Sequence, residues 1–183
     1  MRKILFLLFV LTFVGCSADI DRADLKEGDV VFIEGQSSQA PYIKIGTMSQ
    51  WTHCGIVVNT SNGLMVLEAS KTVRLVNIDR FIGFAKNGNW CARRPKQAIN
   101  SPIRYKKYLG MPYDLAFKFD NGKMYCSELV WQIYKENGIE LCKPRKVSSF
   151  LMTRLPKVKN LMEKRNITME QEAVAPVDLY RAI

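Results

Sequence analysis

The sequence predicts an α+β fold. Strand patterns bounded by turn residues fill the stretch from Gly28 to about Arg93, and helical spacing replaces them from about Ile99. The most regular helix, Ser127 to Asn137, carries an apolar face with a glycine behind its end. The chain has 183 residues, and the length left after an N-terminal leader suits one domain with a true apolar core.

The domain is expected to begin near Leu25. Lys26-Glu27-Gly28-Asp29 is turn chemistry, and Val30-Val31-Phe32-Ile33 is a buried strand that stops before Gly35. Residues 38 to 48 read either as a short helix, with Pro41 near its start and Gly46 weakening it, or as an irregular loop. The clearest strand signal is His53-Cys54-Gly55-Ile56-Val57-Val58, followed by the turn-rich Asn59 to Gly63 and a second strand, Leu64 to Ala69: a hairpin. Val73-Arg74-Leu75-Val76 alternates apolar and polar residues and extends the sheet, and Trp90-Cys91-Ala92-Arg93 adds a further strand.

Among the helical segments, Ile103 to Leu109 ends at Gly110. In the segment from Ser127 to Asn137, Leu129, Val130, Ile133 and Tyr134 share one face and Gly138 takes the position just past the end. Residues 156 to 183 run basic, then acidic, then mixed, and Pro176 to Tyr180 reads as a cover for the domain with no assigned role. There is no internal repeat and no low-complexity tract.

At the N-terminus, Arg2 and Lys3 precede an apolar run from Ile4 to Val14. That run is shorter than the roughly 20 residues a membrane-spanning helix needs, so it reads as a secretory leader. Phe13-Val14-Gly15-Cys16 has the small residue and cysteine of a lipoprotein processing site, although Phe13 is not the usual leucine. Cleavage before Cys16 would leave a lipidated N-terminal cysteine; the alternative is an ordinary signal peptide with a chance cysteine. The chain thus divides into a signal peptide (1–15), a polar, acidic tether (16–24) and a domain (25–183).

The leader takes Arg2 and Lys3 with it, so the remainder carries +8 of the net +10. The basic residues are scattered without interleaved aromatics, which argues against a nucleic-acid platform. Anionic lipid head groups or wall polymers suit an exported basic surface, and a solvated basic face explains it as well. The expected location is the bacterial cell envelope, on a lipid anchor, the outer membrane being compatible with Ser17 behind the cysteine.

Beyond Cys16, the cysteines Cys54, Cys91, Cys126 and Cys142 show no C-x-x-C spacing, so neither a structural zinc site nor any other metal is assigned. Export would permit a disulfide, but the spacing does not say which two cysteines would meet. A nucleophilic cysteine needs a depressed pKa, and Cys126 stands at the start of a helix, where unpaired N–H groups favour an anion and could later hold an oxyanion. By position alone a buried, inert cysteine fits as well. A base is then required, and the chain holds one histidine, His53, at a strand start where the sheet can fix its ring.

Cys54, the rival nucleophile, is rejected because successive strand residues point to opposite faces, away from the His53 ring. Glu68 is the candidate orienter. A four-residue connection at 59 to 62 would set it directly opposite His53, an odd-length loop would put the two on opposite faces, and a tight Asn62-Gly63 turn would slide them apart. In Gly110-Met111-Pro112-Tyr113-Asp114, Tyr113 is either an oxyanion donor or an ordinary packed tyrosine.

Gly110-Met111-Pro112-Tyr113 with Tyr125-Cys126-Ser127-Glu128-Leu129-Val130 resembles the G-x-P-Y and D-C-S-x-L-V pattern of NlpC/P60 papain-like peptidases, with Tyr125 replacing the aspartate. In the ordinary family the cysteine precedes the histidine. Here Gly28-Asp29-Val30-Val31, Thr52-His53-Cys54-Gly55-Ile56-Val57 and Leu67-Glu68-Ala69 come first, an order similar to the circularly permuted branch, the YiiX/YebB-like amidases. The match runs over about residues 25 to 150.

The resemblance implies a circularly permuted papain-like fold, with the cysteine helix packed on an antiparallel sheet and Cys126, His53 and Glu68 as a triad. It implies attack on an amide or ester carbonyl, a thioester intermediate and hydrolysis, with no cofactor. The substrates it implies are an acyl-amino acid, a lipid-linked peptide or a peptidoglycan fragment. Two other readings fit the same residues: a non-catalytic module that binds such groups, and an acyltransferase using the same thioester.

Overall fold

The turn at residues 26–29 opens the domain as its residues predict. Gly28 adopts φ +92°, a region open to glycine, and the Lys26 N–H donates to the Asp29 carboxylate at 2.7 Å. The computed structural model describes residues 19–100, 102–150 and 153–183; the expected signal peptide at 1–15 and Cys16 lie outside the described residues. Asp29 is fully buried, and the Arg94 guanidinium closes on it with two bonds of 2.7 and 2.8 Å, which compensates the buried charge.

From this turn runs β1 (Val30–Gly35), which extends through Gly35 rather than stopping before it. It lies in a five-stranded antiparallel sheet with β2 (His53–Thr60), β3 (Gly63–Ala69), β4 (Val73–Asn77) and β5 (Ala85–Arg93), in the order β4-β3-β2-β1-β5. Both faces of the sheet are covered. Val30, Phe32, Cys54, Ile56, Val58 and Leu67 face the helix α3 described below. Val31, Ile33, Val57, Val66 and Val76 pack on Phe81 of α2 (Ile78–Gly83). A strand buried on both sides needs apolar residues at every position, which is why Val30 to Ile33 does not alternate.

The helix α3 (Cys126–Glu136) presents Leu129, Val130, Ile133 and Tyr134 to the sheet, and Gly138 follows at φ +75°. The Tyr134 hydroxyl donates to the Gly28 carbonyl at 2.6 Å, tying the far end of α3 to the first turn and fixing where its N-terminus points. Residues 38 to 48 resolve as a helix, α1 (Ala40–Thr47), with proline in its first turn.

Two further expectations differ. Ile103 to Leu109 forms only a single 3₁₀ turn at Lys106–Tyr108, because its buried side chains, Ile103 and Tyr108, are spaced too far apart to make one helical face. Residues 19–24 pack along the domain: the Ile20 N–H bonds to the Ala92 carbonyl at 2.8 Å and Arg22 pairs with Asp79 at 2.7 Å. The C-terminal stretch forms α4 (Pro156–Lys164) and α5 (Pro176–Ala182), each begun by a proline; α4 lies between the two strands of a short ladder, β6 (Arg145–Lys146) with β7 (Glu172–Ala173), and α5 follows it. Leu179 and Ile183 of this segment enter the core on the α3 side of the sheet. No helix among the described residues is long and apolar enough to cross a membrane.

Candidate active site

Cys126 is the first residue of α3 and is 2 % exposed, preceded by Tyr125 in extended conformation. His53 is the first residue of β2 and pairs with Ile33 of β1. Its Nε2 lies 2.6 Å from the Glu68 carboxylate, which is buried in β3. With that nitrogen engaged, Nδ1 is the one left to serve Cys126, and the ring lies close enough to the sulfur for each to stabilise the other's charge.

The hairpin register departs from the expected one. Thr60 pairs with Gly63 across a two-residue loop and Ile56 pairs with Leu67, so the position across from Glu68 is Gly55, and His53 is its diagonal neighbour on the same face. The long carboxylate reaches along that diagonal, as such pairs can. Gly55 lets β3 and Phe81 approach closely: a Cβ there would collide with Val66 and come within 2.9 Å of the Leu67 carbonyl and 3.4 Å of Phe81. Phe81 lies against the imidazole with ring centroids 5.5 Å apart. Arg74, directly opposite Glu68 on β4, donates to its other oxygen at 2.8 Å.

Cys54 does point away from the His53 side, but the face it points to is the one α3 covers, which brings it to Cys126. The Cys126 thiol is held well below its ordinary pKa. The Cys54 thiol is the main cause, overcoming burial, followed by the charge and hydrogen bond of His53 and then the Cys54 backbone N–H. Cys54 is shifted the other way: burial, and then the neighbouring anion, push its thiol well up. Cys54 is therefore the donor and Cys126 the thiolate.

Burial works against a charge on His53, yet the Cys126 thiolate and then Glu68 outweigh it and raise the imidazole to about 10. Glu68 in turn is kept ionised against burial by His53 and Arg74. Both shifts run toward a thiolate on Cys126 and an imidazolium on His53, the charge state that nucleophilic attack on a carbonyl would require.

Tyr113 reaches the same point. Its N–H donates to the Lys71 carbonyl at 3.0 Å and it bridges to Met124, so its backbone is pinned beside the α3 N-terminus. Its hydroxyl contacts the Cys126 sulfur, and burial and that sulfur raise its pKa. Tyr125, standing where the motif has aspartate, accepts the Val174 N–H at 3.1 Å, and the Ser127 hydroxyl donates to the Val174 carbonyl at 2.7 Å. The two neighbours of the cysteine thus hold the C-terminal segment against it.

The structure brings Cys126, His53, Glu68 and Tyr113 together. Reading the sequence missed the roles of Cys54, Arg74 and Val174. Arg74 carried a signal, an opposite charge on the next strand; the other two needed the packing of α3.

The model of a family described as permuted papain-like amidase enzyme, YaeF/YiiX, C92 family, matches residues 24–182. The chain belongs to this family. The C92 chain is thus a papain-like cysteine enzyme of the amidase type, with an α+β fold and an antiparallel sheet. It is 28 % identical over 165 residues to the YiiX protein of Escherichia coli (strain K12), covering 85 % of this chain and 81 % of that one. A crystal structure described as metalloprotein yiiX from Escherichia coli O157:H7 superposes with a TM-score of 0.74 at 27 % identity, over 85 % of this chain and 91 % of that one. Among the described residues of the C92 chain, no three His, Cys, Asp or Glu side chains are grouped to hold a metal ion.

Behind Cys126, Glu128 is buried and accepts the Tyr125 N–H at 3.2 Å; burial, then Asp114 and Asp120, push its carboxyl up to about 8. An unfolded chain releases this proton near 4.5, so the native state holds the extra proton between the two values. Stability from this group is therefore full below about 4.5 and declines as pH rises toward 8, by on the order of 4 kcal/mol in total. Glu128→Gln, neutral at every pH, is expected to gain on the wild type over that window. Urea denaturation at pH 5, 7 and 9 measures the difference, and an equal difference at all three would mean that Glu128 is ionised throughout.

Proposed function

We propose that the enzyme hydrolyses the amide or ester bond joining an acyl group to its partner in an acyl-amino acid, a lipid-linked peptide or a cell-wall peptide, through a thioester on Cys126. The observation that carries this reading is the Cys126 sulfur at a helix N-terminus beside an imidazole whose second nitrogen is 2.6 Å from a buried carboxylate. In the first half-reaction the Cys126 thiolate attacks the carbonyl carbon. The oxyanion is met by N–H groups at the start of α3 and by the Tyr113 hydroxyl, and the C–N or C–O bond breaks as protonated His53 gives its proton to the leaving group. In the second, neutral His53 takes a proton from water, the hydroxide attacks the thioester, and the thiolate leaves. Glu68 holds the ring and its charge throughout, and is itself held by Arg74.

The enzyme works at the envelope membrane, held by acyl chains on Cys16, with its +8 charge set against anionic lipid or wall polymer. The test of the reaction is intact-mass analysis of the purified protein after brief exposure to acyl-amino acids and wall fragments. An acyl adduct on Cys126 that hydroxylamine releases is expected. Equilibrium binding of the same compounds with neither adduct nor product would replace the hydrolase by a binding module, and acyl transfer to an added amine in preference to water would make it a transferase.

A further inference from the structure

Two sulfurs meet under the N-terminus of α3, and the reaction proposed above makes a bond to only one of them. Cys126 is the first residue of α3, and Cys54, next to His53 on β2, turns to the sheet face that α3 covers. The Cys54 thiol donates a hydrogen bond to the Cys126 sulfur, so no residue stands between them. A disulfide sets its sulfurs about 2.0 Å apart, which for a pair already in contact is a closing movement rather than a rearrangement. The other cysteines of the described residues are placed elsewhere. Cys91 lies on β5 in the same row as Cys54, but Phe32 of β1 pairs with both and stands between them. Cys142 follows α3, and its carbonyl accepts the Trp131 indole N–H at 2.9 Å, more than a helical turn along from Cys126.

The two sulfurs differ in what can reach them. Cys126 borders the cavity lined by α1 and α4, whereas Cys54 is fully buried and does not border it. A small oxidant entering there meets Cys126 first. Cys126 is also the more reactive of the two, because hydroperoxides react with thiolates rather than thiols. Cys54 and then His53 favour the anion on Cys126, while burial and then the Cys126 charge keep the Cys54 proton in place.

We propose that Cys126 and Cys54 form a peroxide-reactive thiol pair: a hydroperoxide oxidises the Cys126 sulfur, Cys54 closes a disulfide on it, and the enzyme stays inactive until a thiol reductant reopens the bond. In the first step the Cys126 thiolate attacks the terminal oxygen of the hydroperoxide. The O–O bond breaks, an S–O bond forms, and the departing alkoxide, or hydroxide from hydrogen peroxide, takes its proton from His53. Cys126 is now a neutral sulfenic acid, so the charge that held the Cys54 proton is gone. In the second step the Cys54 sulfur attacks the Cys126 sulfur. The S–S bond forms, the S–O bond breaks, and the hydroxide leaves as water with the proton of Cys54. The pair loses two electrons and the hydroperoxide gains them, giving an alcohol and water, or two waters from hydrogen peroxide. Cys54 thereby spares Cys126 from sulfinic acid, which thiols do not reverse. The pairing rests on the contact of the two sulfurs and is independent of which bond the enzyme hydrolyses.

The test exposes the purified, reduced protein to hydrogen peroxide without any substrate, blocks the remaining thiols with N-ethylmaleimide under denaturing conditions, and maps the peptides by mass. The wild type is expected to lose two thiols together, with the Cys54 and Cys126 peptides joined, and dithiothreitol to restore both. In Cys54→Ser, Cys126 is expected to react with dimedone as a sulfenic acid and to end with two added oxygens that dithiothreitol does not remove. In Cys126→Ala, Cys54 is expected to remain a thiol, and Cys91→Ala is expected to pair as the wild type does. Loss of the Cys126 thiol alone, with Cys54 still open to N-ethylmaleimide, would overturn the proposal, as would a bond from Cys126 to Cys91 or Cys142. The wild-type map decides between these outcomes even where a variant fails to fold. A pair that closes in a protein hydrolysing no amide or ester keeps this proposal and sinks the hydrolase; an active amidase whose Cys126 goes straight to sulfinic acid does the reverse.

Discussion

Replacing Cys126 by alanine is expected to remove turnover of any amide or ester substrate, by at least about 10⁴-fold in kcat/KM, while the domain stays folded. The catalytic loss follows from the absence of any substitute nucleophile. Cys54 is the nearest sulfur, and burial keeps it a thiol facing the core under α3. The fold survives because alanine is the best helix former, and because α3 is held by Leu129, Val130 and Ile133 on the sheet and by Tyr134 on the Gly28 carbonyl, none of which involves the sulfur. A second readout is independent of substrate. His53 is the chain's one histidine, so its ring resonances in NMR are unambiguous, and the thiolate is the leading cause of its rise to about 10. In Cys126→Ala the ring should titrate at a clearly lower pH. An unchanged titration would mean that sulfur and imidazole do not share a proton, whatever the activity.

The sheet was legible because its signals are local. The turn at Gly28, the apolar run of β1 and the hairpin of β2 and β3 are each written in a few adjacent residues, and both Cys126 and His53 sit at element starts that capping and strand patterns reveal. Distances across the sheet were harder to read. The connection between β2 and β3 allowed more than one register, and the two-residue loop after Thr60 slid Glu68 from opposite His53 to its diagonal. The hydrogen bond survived because that slip is two residues, which preserves the face, and because the glutamate side chain is long enough to span the diagonal. Strand alternation does turn Cys54 away from the His53 side, but which face α3 covers is set by packing remote in sequence, and that packing brings Cys54 to Cys126. The helices after residue 150 were least visible: α4 is short and buries only Val158 and Met162, and its place is set by contacts with α1 and with residues around 173, far away in sequence.

Replacing His53 by alanine is expected to lower kcat/KM by roughly 10²- to 10⁴-fold, the ordinary worth of a positioned acid and base. It should also change the pH dependence in a way that a merely structural histidine would not. In the wild type, Cys126 is ionised well below the ordinary thiol range, and His53 keeps its proton until about 10, so activity should hold level through neutral pH and fall as pH passes that value and the leaving group loses its acid. Without the imidazole, Cys126 retains the Cys54 thiol and N–H but loses its cationic partner. The rate of alkylation by iodoacetamide should then rise at a higher pH than in wild type, without reaching the position of a free thiol. Glu68→Gln separates the two roles of the ring. It leaves the imidazole in place but takes away the charge at 2.6 Å that favours its protonated form, and strips Arg74 of its ion-pair partner. Its alkylation profile should fall between the other two, and its alkaline limb should move below 10. If all three proteins alkylate with one superimposable pH profile, the sulfur is ionised by Cys54 and the helix terminus alone, and the histidine has no part in preparing the nucleophile.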